Sequence, residues 1–160
     1  MKKLFFLLVT ISASLSLQAQ QIDSLLTAYN QKTVAYISVE ELKENYDQFT
    51  ILDTRKKPEF QVSHLPNAIW VGEKLNKKDL KKIPNDKPIV VYCTVGIRSE
   101  DFGEELLKHG FEKVYNLYGS IVSWKDAGND VVDNDGNTTE KVHVFSKEWE
   151  RYLKTGEKVY

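Results

Sequence analysis

The sequence predicts an α/β domain with a central, mainly parallel five-stranded sheet flanked by helices on both faces. Three observations carry this. Short apolar segments alternate with helical ones along most of the chain. The run Pro88-Ile89-Val90-Val91-Tyr92 is continuously apolar, as in a strand covered on both sides. The chain has 160 residues, 41% of them hydrophobic, and no internal repeat, which suits one domain with one core.

The elements follow in chain order. Lys2 and Lys3, the short apolar run Leu4–Ile11 and Ala19 before a polar residue describe a signal peptide over 1–19. The run is much shorter than the roughly 20 residues needed to span a bilayer, and no cysteine near the cut marks a lipoprotein. Removing the peptide takes away two lysines and no acid, shifting the net charge from -1 to -3. The mature chain is then expected in a periplasm or outside the cell, with no stable membrane insertion. Residues 20–33 form a helical leader, because Ile22, Leu25, Leu26 and Tyr29 share one helical face within Gln21–Lys32.

The main domain is placed at 34–132. Val34–Ile37 reads as a strand, and Ser38-Val39-Glu40-Glu41 as a capping box opening a helix to about Tyr46. Thr50–Asp53 is a second strand. Lys57-Pro58-Glu59-Phe60 begins a short helix with proline in its first turn. Ala68–Val71 is a third strand, Lys77–Lys82 a solvated lysine-rich helix, and Pro88–Tyr92 the fourth strand. Ser99–His109 reads as a helix with Phe102, Leu106 and Leu107 inside and Gly110 as its stop. Val114–Leu117 is the fifth strand, and Ser120–Ala127 a helix around Trp124 ended by Gly128. Residues 133–160 make an extension with a turn at Asn134-Asp135-Gly136-Asn137 and a terminal helix over Ser146–Lys154, its apolar side formed by Trp149, Tyr152 and Leu153.

Composition narrows the function. A net charge of -1 gives no basic footprint for nucleic acid. One cysteine and three scattered histidines (His64, His109, His143) argue against a disulfide framework, an iron–sulfur cluster or a zinc site, and no cofactor is implied. The thiol is either inert core or the centre of the chemistry. Cys93 stands at the carboxyl end of the most apolar strand, where ligands gather in such sheets, and just before a helix. A helix N-terminus lowers a thiol pKa and stabilises anions. In the loop Thr94-Val95-Gly96-Ile97, Gly96 lets successive N–H groups curl inward as a nest, and Arg98 adds a fixed cation.

The segment Val90-Val91-Tyr92-Cys93-Thr94-Val95-Gly96-Ile97-Arg98-Ser99 resembles the active-site strand and loop of the rhodanese (thiosulfate sulfurtransferase) homology domain, in the form Cys-x-x-Gly-x-Arg-Ser. Ile51-Leu52-Asp53-Thr54-Arg55, Glu59-Phe60 and His64-Leu65-Pro66-Asn67-Ala68 resemble its upstream signature. Val114-Tyr115-Asn116-Leu117-Tyr118-Gly119 with Trp124 and Gly128 resembles its closing segment. The likeness runs in order from about Tyr36 to Val132. Ser63 and Asn67 stand where the family has glycine, and Ser120 replaces the second glycine of its closing pair, which predicts small backbone adjustments.

The resemblance implies a rhodanese-like fold and a sulfurtransferase. Cys93 would take a sulfane sulfur and become a persulfide, the N–H groups of residues 94–98 would stabilise that sulfur, and Arg98 would orient the anionic donor. Ser99 would either cap the helix or contact substrate through its hydroxyl. Asp53 and Arg55 would brace the loop as an ion pair, or form an ordinary surface pair; His64 reads as a turn residue. The implied partners are a small sulfur-containing anion, thiosulfate or a persulfide donor, and a thiol or cyanide acceptor. Two other readings compete: a non-enzymatic sulfur-carrier or regulatory binding module, and a phosphatase or arsenate reductase of related fold. Four residues separate Cys93 from Arg98, whereas the related phosphatases use Cys-x5-Arg, a wider ring suited to a tetrahedral oxyanion. The shorter loop favours sulfur.

Overall fold

The computed structural model describes residues 20–160 apart from 77 and 79; the expected signal peptide over 1–19 lies outside them. Five strands form one parallel sheet: β1 (Ala35–Ile37), β2 (Thr50–Asp53), β3 (Ile69–Trp70), β4 (Ile89–Tyr92) and β5 (Val114–Leu117), in the order β1-β5-β4-β2-β3. The most apolar strand, β4, is therefore central, with Thr50 opposite Ile89 on one side and Val90 opposite Tyr115 on the other.

Alternation along β4 sends Val90 and Tyr92 to one face and Val91 to the other, creating two cores. The first is covered by α1 (20–29), α2 (Val39–Glu44) and α5 (Ser120–Asp126), through Ile22, Leu26, Leu42, Ile121 and Trp124. The second is covered by α4 (Arg98–Lys108), through Phe102 and Leu106. Helices flank both faces as expected. The Ser38 hydroxyl accepts from Glu41 N–H (3.1 Å), capping α2, and α3 (Lys57–Val62) carries Pro58 in its first turn.

The extension differs from its sequence reading. Val131–Val132 (β6) and Thr138–Thr139 (β7) pair antiparallel around the expected turn, and Lys141–His143 (β8) pairs parallel with Glu157–Val159 (β9). The terminal helix over Ser146–Lys154 is instead a 3-10 helix, Lys147–Tyr152, and the chain then returns as β9. A 3-10 turn superposes residues three apart, so Trp149 and Tyr152 share a face with ring centroids 5.6 Å apart. This tighter winding delivers Tyr152 and Leu153 to the same core that receives Ile22 and Leu26 from α1. Of the lysine-rich helix expected over Lys77–Lys82, residues 77 and 79 lie outside the described residues; Leu80–Lys82 forms a 3-10 turn.

Two of the three positions where the sequence departs from glycine adopt a backbone that favours glycine. Asn67 (φ 57°) and Ser120 (φ 51°) hold the left-handed conformation, at roughly 1–2 kcal/mol each, whereas Ser63 (φ -170°) is extended.

A buried lock ties the carboxyl ends of β2 and β4 together. Arg55 donates through Nε and Nη2 to the Asp53 carboxylate (2.6–3.1 Å), both side chains being fully buried. Arg55 Nη2 also donates to the Ser63 carbonyl (2.6 Å), the Tyr92 hydroxyl donates to Asp53 Oδ2 (2.5 Å), and Leu65 N–H donates to that hydroxyl (3.1 Å). Arg55→Leu, which strands a buried carboxylate, should cost about 3–5 kcal/mol. Tyr92→Phe, which strands one donor and one acceptor, should cost about 1–3 kcal/mol. Urea denaturation should reproduce that order.

Candidate active site

The chain leaves β4 at Cys93 and enters α4 at Arg98, so the intervening loop lies at the carboxyl edge of the sheet beside its centre. The Cys93 side chain is free and buried, with the residue 1% exposed. Gly96 N–H donates to its Sγ at 3.2 Å. That approach needs Gly96 at φ 114°, and a Cβ there would press on Leu26 at 3.3 Å.

The loop turns its carbonyls outward. The Cys93 and Thr94 carbonyls accept from the Ile121 and Val122 N–H groups in the first turn of α5. The Gly96 carbonyl accepts from two side-chain amides, Asn30 Nδ2 and Asn116 Nδ2, both at 2.8 Å. In a trans peptide the N–H points opposite to the carbonyl, so these anchors aim the Ile97 N–H back into the loop. Ile97 is the N-cap of α4, and no side chain caps it. From the first turn of that helix the Ser99 N–H reaches the Cys93 sulfur.

Charge then favours the thiolate. Burial pushes the Cys93 thiol up, but the Arg98 charge, the Ser99 hydroxyl and N–H and the Gly96 N–H outweigh it, leaving the thiol below its ordinary value. Ser99 lies inside α4 rather than capping it, and its hydroxyl donates to Asn116 Oδ1 at 2.8 Å. With one proton it serves either Asn116 or the sulfur, not both at once.

The position of Arg98 is more constrained than its sequence role implies. Its Nη1 and Nη2 grip the Glu59 carboxylate from two sides, each at 2.8 Å; Nη1 also donates to Glu73 (2.9 Å) and Nη2 to Thr94 Oγ1 (2.9 Å). All four terminal N–H groups are thus engaged within the protein. Burial pushes the Glu59 carboxyl up, but Arg98 and the Lys56 N–H prevail and hold it below the usual carboxylate range.

The residues singled out in the sequence fall into two groups. Cys93, Thr94, Val95, Ile97 and Arg98 line one pocket of about 210 Å³, and Gly96 and Ser99 turn their N–H groups to the Cys93 sulfur. Asp53 and Arg55 sit apart in the lock beneath. His64, expected in a turn, instead bridges Val132 through a pair of backbone hydrogen bonds just before the turn at Pro66-Asn67; its ring stacks on Phe60 (centroids 3.8 Å) and bonds the Phe60 carbonyl through Nδ1, and burial first of all lowers its pKa.

Sequence reasoning passed over several others. Glu59 was visible only as part of a motif. Asn116 announces itself as a fully buried amide within an otherwise apolar strand, and Ser120 accepts the Cys93 N–H (3.1 Å) where the family has glycine. Tyr29, Phe145 and Trp149 complete the pocket from α1 and the extension, and no local sequence signal points to them. Among the described residues no cluster could hold a metal, and no helix is long and apolar enough to cross a membrane.

Comparison with known proteins gives this geometry a context. The chain is 30% identical to a thiosulfate sulfurtransferase, GlpE, of Coxiella burnetii, over 59% of this chain and 87% of that protein. It is 32% identical to a tRNA uridine(34) hydroxylase of Staphylococcus carnosus, over 77% of this chain but only 47% of the hydroxylase. The crystal structure of a rhodanese-related protein from Thermoplasma volcanium aligns with a TM-score of 0.57 and 30% identity, covering 61% of this chain and 97% of that one. The rhodanese-like domain model matches residues 38–127, spanning β2 to β5 and the whole Cys93 loop, and the chain belongs to that family.

Proposed function

We propose that the protein is an exported sulfurtransferase working through a Cys93 persulfide. The observation that carries this is the six-residue loop that directs the Gly96 N–H at the Cys93 sulfur from 3.2 Å, at the uncapped start of α4. The Cys93 thiolate attacks the outer sulfur of a donor, the S–S bond of the donor breaks, and its remainder leaves with the electron pair; for thiosulfate that remainder is sulfite. The persulfide's outer sulfur then passes to a thiophilic acceptor such as cyanide, and the thiolate returns. The inward N–H groups hold the extra sulfur, and the Cys-x4-Arg spacing leaves little room for a tetrahedral phosphate at attack distance.

Exposure to thiosulfate should add one sulfur, about 32 Da, to the intact protein, and cyanide should remove it. Cys93→Ser should abolish both the mass shift and thiocyanate formation while keeping the fold, and aryl phosphates should not be hydrolysed at a significant rate. Hydrolysis of aryl phosphates by a protein that takes up no sulfur would overturn the assignment.

The thiol should also show its environment. Because the folded protein favours the thiolate, the midpoint of alkylation rate against pH should fall below the ordinary value of about 8.5. Arg98→Ala leaves burial less opposed and should move the midpoint upward. Ser99→Ala should do so to a smaller extent.

Export rests on the leader at 1–19. Cleavage between Ala19 and Gln20, read by N-terminal sequencing of protein from the exported fraction, is the expected result; intact chain confined to the cytosol would refute it.

A further inference from the structure

The pocket above Cys93 has a composition that its loop does not explain. Five of the residues around it are apolar or aromatic: Tyr29 from α1, Val95 and Ile97 from the loop, and Phe145 and Trp149 from the extension. Arg98 is the one charged residue among the pocket's lining. Its four terminal N–H groups are already engaged, and two carboxylates face it. A hydrated dianion entering here would shed water and find the terminal N–H groups of that side chain already shared with two carboxylates and a hydroxyl, which is costly.

Phe145 is placed at an expense. It is 40% exposed and holds the left-handed backbone conformation (φ 69°), which a non-glycine residue adopts rarely. The His143 ring accepts its N–H (3.1 Å), Ser146 N–H closes back on the Val144 carbonyl, and the Arg98 guanidinium lies 4.8 Å above its ring. Its ring also meets Trp149 edge-on, with centroids 6.3 Å apart. A strained backbone that leaves an aromatic ring half-exposed gains little from burial; such strain concentrates at ligand sites. The volume, about 210 Å³, is also apt, since an apolar cavity of about 150 Å³ takes up benzene.

We propose that Phe145 and Trp149 are specificity-determining residues that seat the apolar organic group of the sulfur donor, so that the preferred donor is an organic sulfane-sulfur compound of low charge rather than inorganic thiosulfate. This rests on the sulfurtransferase reading above and names its substrate class. In the balanced step, the Cys93 thiolate attacks the terminal sulfur of R–S–S⁻, forming Cys93–S–S⁻ as R–S⁻ departs with the electron pair. A thiosulfonate, R–SO2–S⁻, reacts in the same sense and releases the sulfinate R–SO2⁻.

The test is a donor series on the mature protein, with cyanide as acceptor and thiocyanate as readout: thiosulfate, methanethiosulfonate and benzenethiosulfonate. We expect kcat/KM to rise along the series, with benzenethiosulfonate ahead of methanethiosulfonate by at least about tenfold, equivalent to about 1.4 kcal/mol. Both thiosulfonates carry the same charge and release a sulfinate, so that ratio reads the apolar group. Phe145→Ala and Trp149→Ala should each pull it toward one, and Phe145→Leu should keep part of it. A series that is flat or favours thiosulfate, in a protein whose Cys93 still gains sulfur by mass, overturns the inference and leaves the sulfurtransferase standing. A protein that gains sulfur from none of the three donors overturns both.

Discussion

A buried loop that turns its N–H groups inward must find donors for the carbonyls it turns out, and most of this molecule is arranged to supply them. Carbonyls excluded from water without a partner would cost more than the loop could repay. The first turn of α5 takes the carbonyls of Cys93 and Thr94, and Asn30 and Asn116 share that of Gly96. Asn30 follows directly on α1, which Ile22 and Leu26 seat on the sheet, and Asn116 places an amide within β5. Glu100, at the start of α4, in turn accepts from Asn116 Nδ2 (2.9 Å) and from the Thr33 N–H (3.0 Å), joining the end of the leader to the same network.

Electrostatics is handled with similar economy. A lone arginine beside a buried thiol would favour the anion strongly but would be free to swing away. Glu59 and Glu73 fix Arg98 in place and temper its charge. The short helix α3 has its reason here, since it brings Glu59 under the guanidinium. Below, the Asp53–Arg55 pair is neutral as a unit and stiffens the strand ends without adding net charge beneath the sulfur.

The sheet was legible because its signal is local. Each of the five strands lies within a residue of its expected limits, and the apolar run at Pro88–Tyr92 gave the central one. The neighbourhood of the thiol was legible for the same reason, because Cys93, Gly96 and Arg98 lie within six residues of one another. What escaped was set by distance. Glu59 meets Arg98 across 39 residues and Asn30 meets Gly96 across 66, and neither side chain carries a mark of its partner. The extension misled because Trp149, Tyr152 and Leu153 fit the spacing of an α-helix equally well; the pairing of β8 with β9 and the tighter 3-10 turn decide otherwise.

The reach of Asn30 has a consequence for how the thiol comes to life. Contacts that close such long loops form late, since the entropy of closure must be met before they repay it. Until α1 docks and Asn30 takes hold of Gly96, the loop lacks one of its two anchors and Cys93 sits in a less organised setting. A cysteine in an unorganised chain is mostly protonated at neutral pH and reacts slowly. On that order of events the long-range hydrogen bond keeps the thiol quiet while the chain is incomplete, and the groups that favour the thiolate gather around it only once the leader has closed over the sheet.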